Sequence, residues 1–393
     1  MGHAVVVTKG TRGDLAPFVS LGAALKDRGH DVLLVSHCGF RNLVEGAGLH
    51  FEPLDTEDEW ASYQRDIKLL NTPGGSSRFF ERHCLPRIKR EFDLLKSLCK
   101  PGHTALIARH AATFSDSLLA KSLDLRLVRV FTSPSQVVLL PLLERLLRDR
   151  YANMLCNIRY EIGLPEVDAP SGICIEAEIN IGAWPEWFGG DKAPINGTLH
   201  EVGFMISRIM DSGALPREVE AFLDRVPAPV LITAGSADTV GDTLYSLGQS
   251  ACQTLGERYL LLLAKPQSTM KHSDRSDCLV APLLPFASLI RRVRAVIHHG
   301  GMGTVSHAAL AGVPQLVLPE GADRPDNGAR VQQHLLGHCV ALSERNITNA
   351  TNALHHVLTS TLIADKCKTV SMASGDEDAA VRACRLIEST CSW

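Results

Sequence analysis

The sequence predicts an α/β protein of two consecutive doubly wound parallel-sheet domains, on three observations. The chain has 393 residues, beyond the roughly 250–300 at which a single core stops growing. Continuous apolar runs alternate with segments of helical apolar spacing, the pattern of parallel strands covered on both faces. The alternation is interrupted once, by prolines, and then restarts.

In order, residues 4–8 form a β-branched run and residues 9–14 a glycine-containing loop. Residues 17–28 read as a helix, with Phe18, Leu21 and Leu25 on one face and Gly29 where a C-cap belongs. Residues 32–36 give the second strand. Residues 105–108 and 127–131 are further strands, separated by a helix around residues 115–122. After Pro216, Pro227 and Pro229 the series resumes at residues 230–233 and continues at 259–264, 278–281, 295–297 and 315–318. The linker is expected near residues 205–215, dividing residues 1–210 from residues 211–375. Two such domains in succession imply a ligand cleft between them, at the carboxyl ends of the strands.

Hydrophobic residues make up 45% and charged residues 21% of the chain, an ordinary globular balance. A net charge of −3 steers the protein toward neither nucleic acid nor anionic membranes. The 11 cysteines are scattered without a C-x-x-C pair, and the opening apolar run is too short for a signal peptide. Reduced thiols in a cytoplasm are therefore expected. No stretch reaches the roughly 20 apolar residues of a spanning helix.

The first loop lacks the dinucleotide fingerprint. Gly10 and Gly13 are out of register with it, and the second strand runs into Ser36 and His37 rather than an acidic residue, which argues against a dehydrogenase. Asp14 ends the run Thr11-Arg12-Gly13-Asp14. A carboxylate there can take a proton from an acceptor hydroxyl or cap the helix opening near Pro17, and the spacing leaves both open. The second loop, His298-His299-Gly300-Gly301-Met302-Gly303-Thr304, follows an apolar strand and opens a helix. Its glycines admit close approach of a ligand, and a helix N-terminus offers unpaired N–H groups to a diphosphate. A tight turn without a ligand would also use glycine. A third loop, from Pro319 to Arg330, is dense in Asp, Arg and Asn, suited to sugar hydroxyls or to solvated turns.

Gly10-Thr11-Arg12-Gly13-Asp14-Leu15-Ala16-Pro17-Phe18, with Leu21-Gly22, Leu25 and Arg28-Gly29-His30, resembles the opening of family 1 glycosyltransferases, in the sterol and glycopeptide-antibiotic glucosyltransferase branch. His298–Thr304 with Ala311-Gly312-Val313-Pro314-Gln315 is similar to the family's HHGGAGT…AGVPQ donor motif, and Asp323…Asn327-Gly328-Ala329-Arg330 to its continuation. The resemblance spans both ends of the chain; residues 56–211 correspond to the family's variable acceptor region. It implies the GT-B fold: two Rossmann-like parallel-sheet domains facing across a cleft, acceptor side first. A C-terminal helix within residues 376–393 (residues 377–389) would cross back to the first domain.

The resemblance also implies an inverting transfer of a hexose, glucose or a deoxysugar, from a UDP- or dTDP-sugar to a hydroxyl of a small-molecule, lipid or natural-product acceptor. Asp14 would be the base, with His110 or Asp116 as the groups to consider in its place. Thr11, Arg12 and Gly13 would lie at the donor. His299, Gly300, Gly301, Gly303 and Thr304 would hold the diphosphate with help from Ser236, Leu283 would meet the base, and Asp323 and Arg324 the sugar. No metal or other cofactor is implied. Two positions depart from the family's pattern: Arg324 stands where relatives carry Gln, and His307 where they carry Glu or Ala. A nucleotide-sugar 2-epimerase and a weakly catalytic binding or activator protein are the alternatives on the same fold. The apolar and basic residues 78–100 read as an amphipathic helix packed beside the acceptor pocket, with membrane contact as the other reading.

Overall fold

The computed structural model describes residues 2–110, 114–164, 177–190, 195, 197–211, 213–236, 242–264, 276–373 and 378–391. The chain divides into two compact units. One comprises Met1–Gly10, Asp14–Met205 and Glu377–Trp393, the other Thr11–Gly13 and Ile206–Asp376.

Among the described residues the first unit carries seven strands, β1 (His3–Val7), β2 (Asp31–Ser36), β3 (His50–Pro53), β4 (Thr104–Arg109), β5 (Arg126–Phe131), β6 (Ile179–Gly182) and β7 (Leu199–Glu201). Their order is β3-β2-β1-β4-β5-β6-β7, every pair parallel, with Val7 opposite Val35 on one side and Ala108 on the other. The second unit carries β8 (Val230–Thr233), β9 (Tyr259–Leu263), β10 (Cys278–Pro282), β11 (Ala295–His298), β12 (Gln315–Val317) and β13 (Gly337–Cys339), in the order β10-β9-β8-β11-β12-β13 and again all parallel.

The second sheet shows why such strands are apolar throughout. Ile232, Leu261, Ile297 and Leu316 pack to one face with Leu244, Ala251 and Leu354. The alternate residues Leu231, Leu260 and Val296 pack to the other with Leu223, Leu289 and Ala308. Successive side chains point to opposite faces of a strand, so a sheet covered on both sides needs every position apolar.

The helix expected at residues 17–28 begins earlier, at Arg12, and runs to Asp27 with Pro17 inside it. Proline at an opening turn was the start signal; here Pro17 forfeits only the bond its N–H would have made one turn back, and the helix continues through it. Residues 78–100 fall in the helices Gly75–His83 and Ile88–Leu98, where Phe79, Ile88, Phe92 and Leu95 are buried within the first unit. The last helix, Ala379–Thr390, is capped by Asp378, whose carboxylate accepts from Ala380 N–H at 2.9 Å. It buries Ala380, Ala383, Cys384 and Ile387. Arg382 Nε donates to the Val202 carbonyl at 2.6 Å, and Glu388 accepts from both Arg28 and His30. These contacts hold the helix within the first unit; Glu377 lies outside the described residues. Among the described residues, no helix is long and apolar enough to cross a membrane.

Candidate active site

In both sheets the strand order reverses beside the first strand of its unit, between β1 and β4 in one and β8 and β11 in the other. Loops at the carboxyl ends of those strands splay apart and make room for ligands. Asp14 lies beyond β1, Ser236 beyond β8 and His299 beyond β11, whereas Leu283 follows β10 and Asp323 and Arg324 follow β12.

In the second unit, His299 follows β11 directly and Gly235 follows β8 by one residue. A Cβ on Gly235 would lie 2.9 Å from His299 Cε1, and one on Gly301 would lie 2.6 Å from His299 Nε2. The imidazole is thus held against two glycine backbones that no larger residue could replace without moving it. The ring is buried, and among the described residues its Nδ1 has no hydrogen-bond partner. Burial first, then the Arg324 guanidinium and His298, hold its pKa well below 6.5, so the ring is neutral.

Its neighbour His298 has a different task. Gly300 N–H donates to His298 Nδ1 at 3.1 Å, which leaves the proton on Nε2, 3.0 Å from Gln315 Oε1 on β12. Burial lowers this pKa to about 4. His298 braces the loop rather than facing a ligand.

The third loop is tied to the glycine loop. Asn327 is fully buried, and its Nδ2 donates to the Gly300 carbonyl and to Asp323 Oδ2, both at 3.0 Å. Arg324, first residue of the helix Arg324–Gln333, donates from Nη1 to the Glu320 carbonyl at 2.8 Å. Thr304 is buried in the first turn of the helix Met302–Ala311, where its N–H is among the unpaired donors. Gly303 in the same turn faces open space where a side chain would start. Ser236 and Leu283 each lie just beyond a strand, β8 and β10. His307 is spoken for: its Nε2 lies 3.0 Å from Asp211 Oδ2, and Phe286 meets its ring edge-on. Arg12, grouped with the second unit, donates to the Met210 carbonyl at 2.7 Å and lies 3.6 Å from Asp211 Oδ1. Thr11 and Gly13 group with the second unit alongside it.

In the first unit, Asp14 is the third residue of the helix Arg12–Asp27, inside its first turn rather than at the cap position the sequence allowed. Its Oδ1 is 2.7 Å from Arg109 Nη2, and Arg109 Nη1 donates to the Lys9 carbonyl at 3.2 Å. Gly10, at φ +131°, allows the carboxylate to approach the backbone: a Cβ there would meet Asp14 Oδ2 at 2.4 Å. Of the two alternative bases, Asp116 is fully buried and paired with Arg129 at 3.0 Å. His110 is buried on Phe131, with a pKa held well below 6.5 by burial and then by Arg129 and Arg109. Among the described residues no three of His, Cys, Asp and Glu gather as they would around a metal ion.

Sequence reasoning missed Arg109 and the role of Asn327. Arg109 ends a strand as any solvated residue might; only the pairing of β4 with β1 brings it to Asp14. Asn327 was visible as part of a motif, but its two bonds depend on how two loops fold over each other.

The first unit also holds a buried pair, His37 with Asp55 at 2.6 Å, under Trp60 and Tyr63. Burial lowers His37 to about 4, Asp55 opposing. Each unit therefore carries a neutral histidine whose folded pKa lies below its unfolded value. The unfolded chain takes up protons at these sites from about pH 6.5 downward while the folded chain does so only near 4, so stability falls as pH drops through that window. The slope is at most about 1.4 kcal/mol per pH unit per histidine. Melting temperature is expected to decline steadily between pH 7 and pH 4.5; a flat profile would show these rings open to protons in the folded state.

Comparison with known proteins agrees with this architecture. Residues 4–97 match the glycosyltransferase family 28 N-terminal domain, and residues 267–383 match the C-terminal domain of erythromycin biosynthesis protein CIII-like proteins. The O-mycaminosyltylonolide 6-deoxyallosyltransferase of Streptomyces fradiae is 27% identical over 98% of this chain and 96% of its own. The vancomycin aglycone glucosyltransferase of Amycolatopsis orientalis is 27% identical over 84% of this chain and 83% of its own. The spinosyn rhamnosyltransferase, solved with thymidine diphosphate and with spinosyn aglycone, superposes with TM-scores of 0.69 and 0.71 at 20% identity. The first of those superpositions covers 99% of this chain and 100% of that one. With two parallel Rossmann-like sheets, a glycine loop at each reversal point and matches to both domain models, the chain is a glycosyltransferase of the GT-B fold.

Proposed function

We propose that this enzyme transfers a hexose, glucose or a deoxysugar, with inversion, from a UDP- or dTDP-sugar to a hydroxyl of a small natural-product acceptor. The observation that carries the donor half is His299: a buried ring nitrogen without a partner among the described residues, beside a helix N-terminus, at the reversal point of the second sheet. A phosphate oxygen is the partner such a site lacks, and the helix end favours negative charge. The thymidine diphosphate and aglycone complexes of the spinosyn enzyme support the same assignment of ligand classes.

On this reading the second unit binds the nucleotide sugar. His299 and the Gly300, Gly301, Gly303 and Thr304 backbone meet the diphosphate, Ser236 assists, Leu283 meets the base, and Asp323 and Arg324 meet the sugar. Asp14 accepts the acceptor hydroxyl proton as the acceptor oxygen bonds to the anomeric carbon from the face opposite the leaving group. The bond from that carbon to the diphosphate oxygen breaks, and its electron pair departs with the nucleoside diphosphate. Charge on the leaving group is met by neutral donors and the helix end rather than by a metal.

The test is a screen of small hydroxyl acceptors against UDP- and dTDP-hexoses, read by mass spectrometry, with chelator in parallel. Hexosylated product, formed equally with chelator, is expected. Donor consumed without acceptor would mark an epimerase, and donor bound but never consumed an activator protein. In the same screen Arg324→Gln is expected to change the preference among sugars while affinity for free UDP stays nearly constant; the reverse pattern removes Arg324 from the sugar.

A further inference from the structure

The geometry points to Arg109 as the residue that positions the catalytic carboxylate, an inference that rests on Asp14 being the base. Three restraints converge on that carboxylate within the first unit. Arg109 Nη2 holds Oδ1 at 2.7 Å, Arg109 Nη1 is itself fixed on the Lys9 carbonyl at 3.2 Å, and the Gly10 backbone closes on the Oδ2 side. Below them, Thr8 Oγ1 donates to the Asp14 backbone carbonyl at 3.2 Å and ties the helix turn to the end of β1. The register sets this up: Val7 lies opposite Ala108, so the residue after Ala108 emerges beside the loop that follows β1.

A guanidinium has a fixed planar fork, and one held at two points dictates the plane of the carboxylate it grips. The alternative is an ion pair that serves stability alone. The two side chains are only 17% and 24% exposed, so the pair also contributes to stability. What separates the two roles is selectivity, since a stability contact treats all acceptors alike and a positioned base matters only to an acceptor that must lose a proton. Orientation of a reacting group has a large effect on rate. Arg109 therefore meets the reacting atoms only through Asp14, and its loss is read in turnover of an acceptor that must lose its proton.

The experiment compares Arg109→Ala, Arg109→Gln, Arg109→Lys and Asp14→Asn in the full-length enzyme. Its readouts are kcat and acceptor KM with a neutral hydroxyl acceptor, the same with an acceptor already ionised at assay pH, UDP affinity, and melting temperature. Arg109→Ala and Arg109→Gln are expected to lower kcat about 10- to 100-fold for the neutral acceptor, a part of the contribution a positioned base makes. UDP affinity should stay close to wild type and the ionised acceptor should be spared, while the melting temperature records the separate stability cost of the broken pair. Arg109→Lys, which keeps the charge without the fork, should recover part of the loss. The double variant with Asp14→Asn should be no slower than Asp14→Asn alone, because both act on one proton transfer. If Arg109→Ala does not fold, Arg109→Gln decides.

Wild-type kcat in a folded Arg109→Gln, or equal losses with neutral and ionised acceptors, overturns the inference while Asp14 stands. A near wild-type rate in Asp14→Asn overturns the reading beneath it, and the inference with it.

Discussion

Asp14→Asn is expected to lose at least about a hundredfold in kcat toward a neutral hydroxyl acceptor, because a positioned base contributes about 10²–10⁴-fold. Asparagine keeps the size and an acceptor oxygen for Arg109 but cannot take the proton. The structural cost is small. Asp14 is partly exposed in the first turn of its helix, where a carboxylate gains only about 0.3–1 kcal/mol from the helix dipole, so the melting temperature should move by a few degrees at most. An acceptor ionised at assay pH needs no base and should suffer less. Steady-state kinetics with the two acceptor types checks this, and an undiminished rate with the neutral one places the base elsewhere. The buried Asp116, locked to Arg129, is poorly placed to replace it. His110 would then be substituted next.

His299→Ala is expected to weaken UDP binding by roughly ten- to a hundredfold, the equivalent of one hydrogen bond to a charged group, about 1.5–3 kcal/mol. The ring is neutral in the free protein, so the bond is that of a neutral N–H to an ionised phosphate oxygen, still among the stronger kinds. Calorimetry with UDP measures it. The substitution also empties the space against Gly235 and Gly301, so the melting temperature should be taken in parallel. A folded variant with unchanged affinity puts the phosphates elsewhere.

Strands buried on both faces were readable because every position must be apolar; residues 4–8, 230–233 and 259–264 announced themselves that way. The strands β3, β6, β7 and β13 read HFEP, INIG, LHE and GHC, too mixed with polar residues, proline and glycine to stand out as apolar runs. The glycine loop was readable for a similar reason, since tight backbone approach leaves glycine almost no substitute. The start of the first helix was misplaced because Pro17 is a stronger local signal than the tertiary contacts that extend the helix back to Arg12. The partners of the predicted residues were the least legible part. Arg109 comes to Asp14, and Asp211 to His307, from about a hundred residues away in sequence, through folding of each unit that no local pattern encodes.

Asn327 has a consequence for anyone redesigning this protein. Its one amide nitrogen spends both hydrogens, one on the carbonyl of Gly300 and one on the carboxylate of Asp323. The two loops are thereby a single mechanical part. A change that shifts the Asp323–Arg324 turn by even a few tenths of an ångström is passed through that amide to the backbone of the glycine loop. Libraries that vary the two loops independently will therefore contain many members that disturb both, and joint variation around an unchanged Asn327 is the economical route.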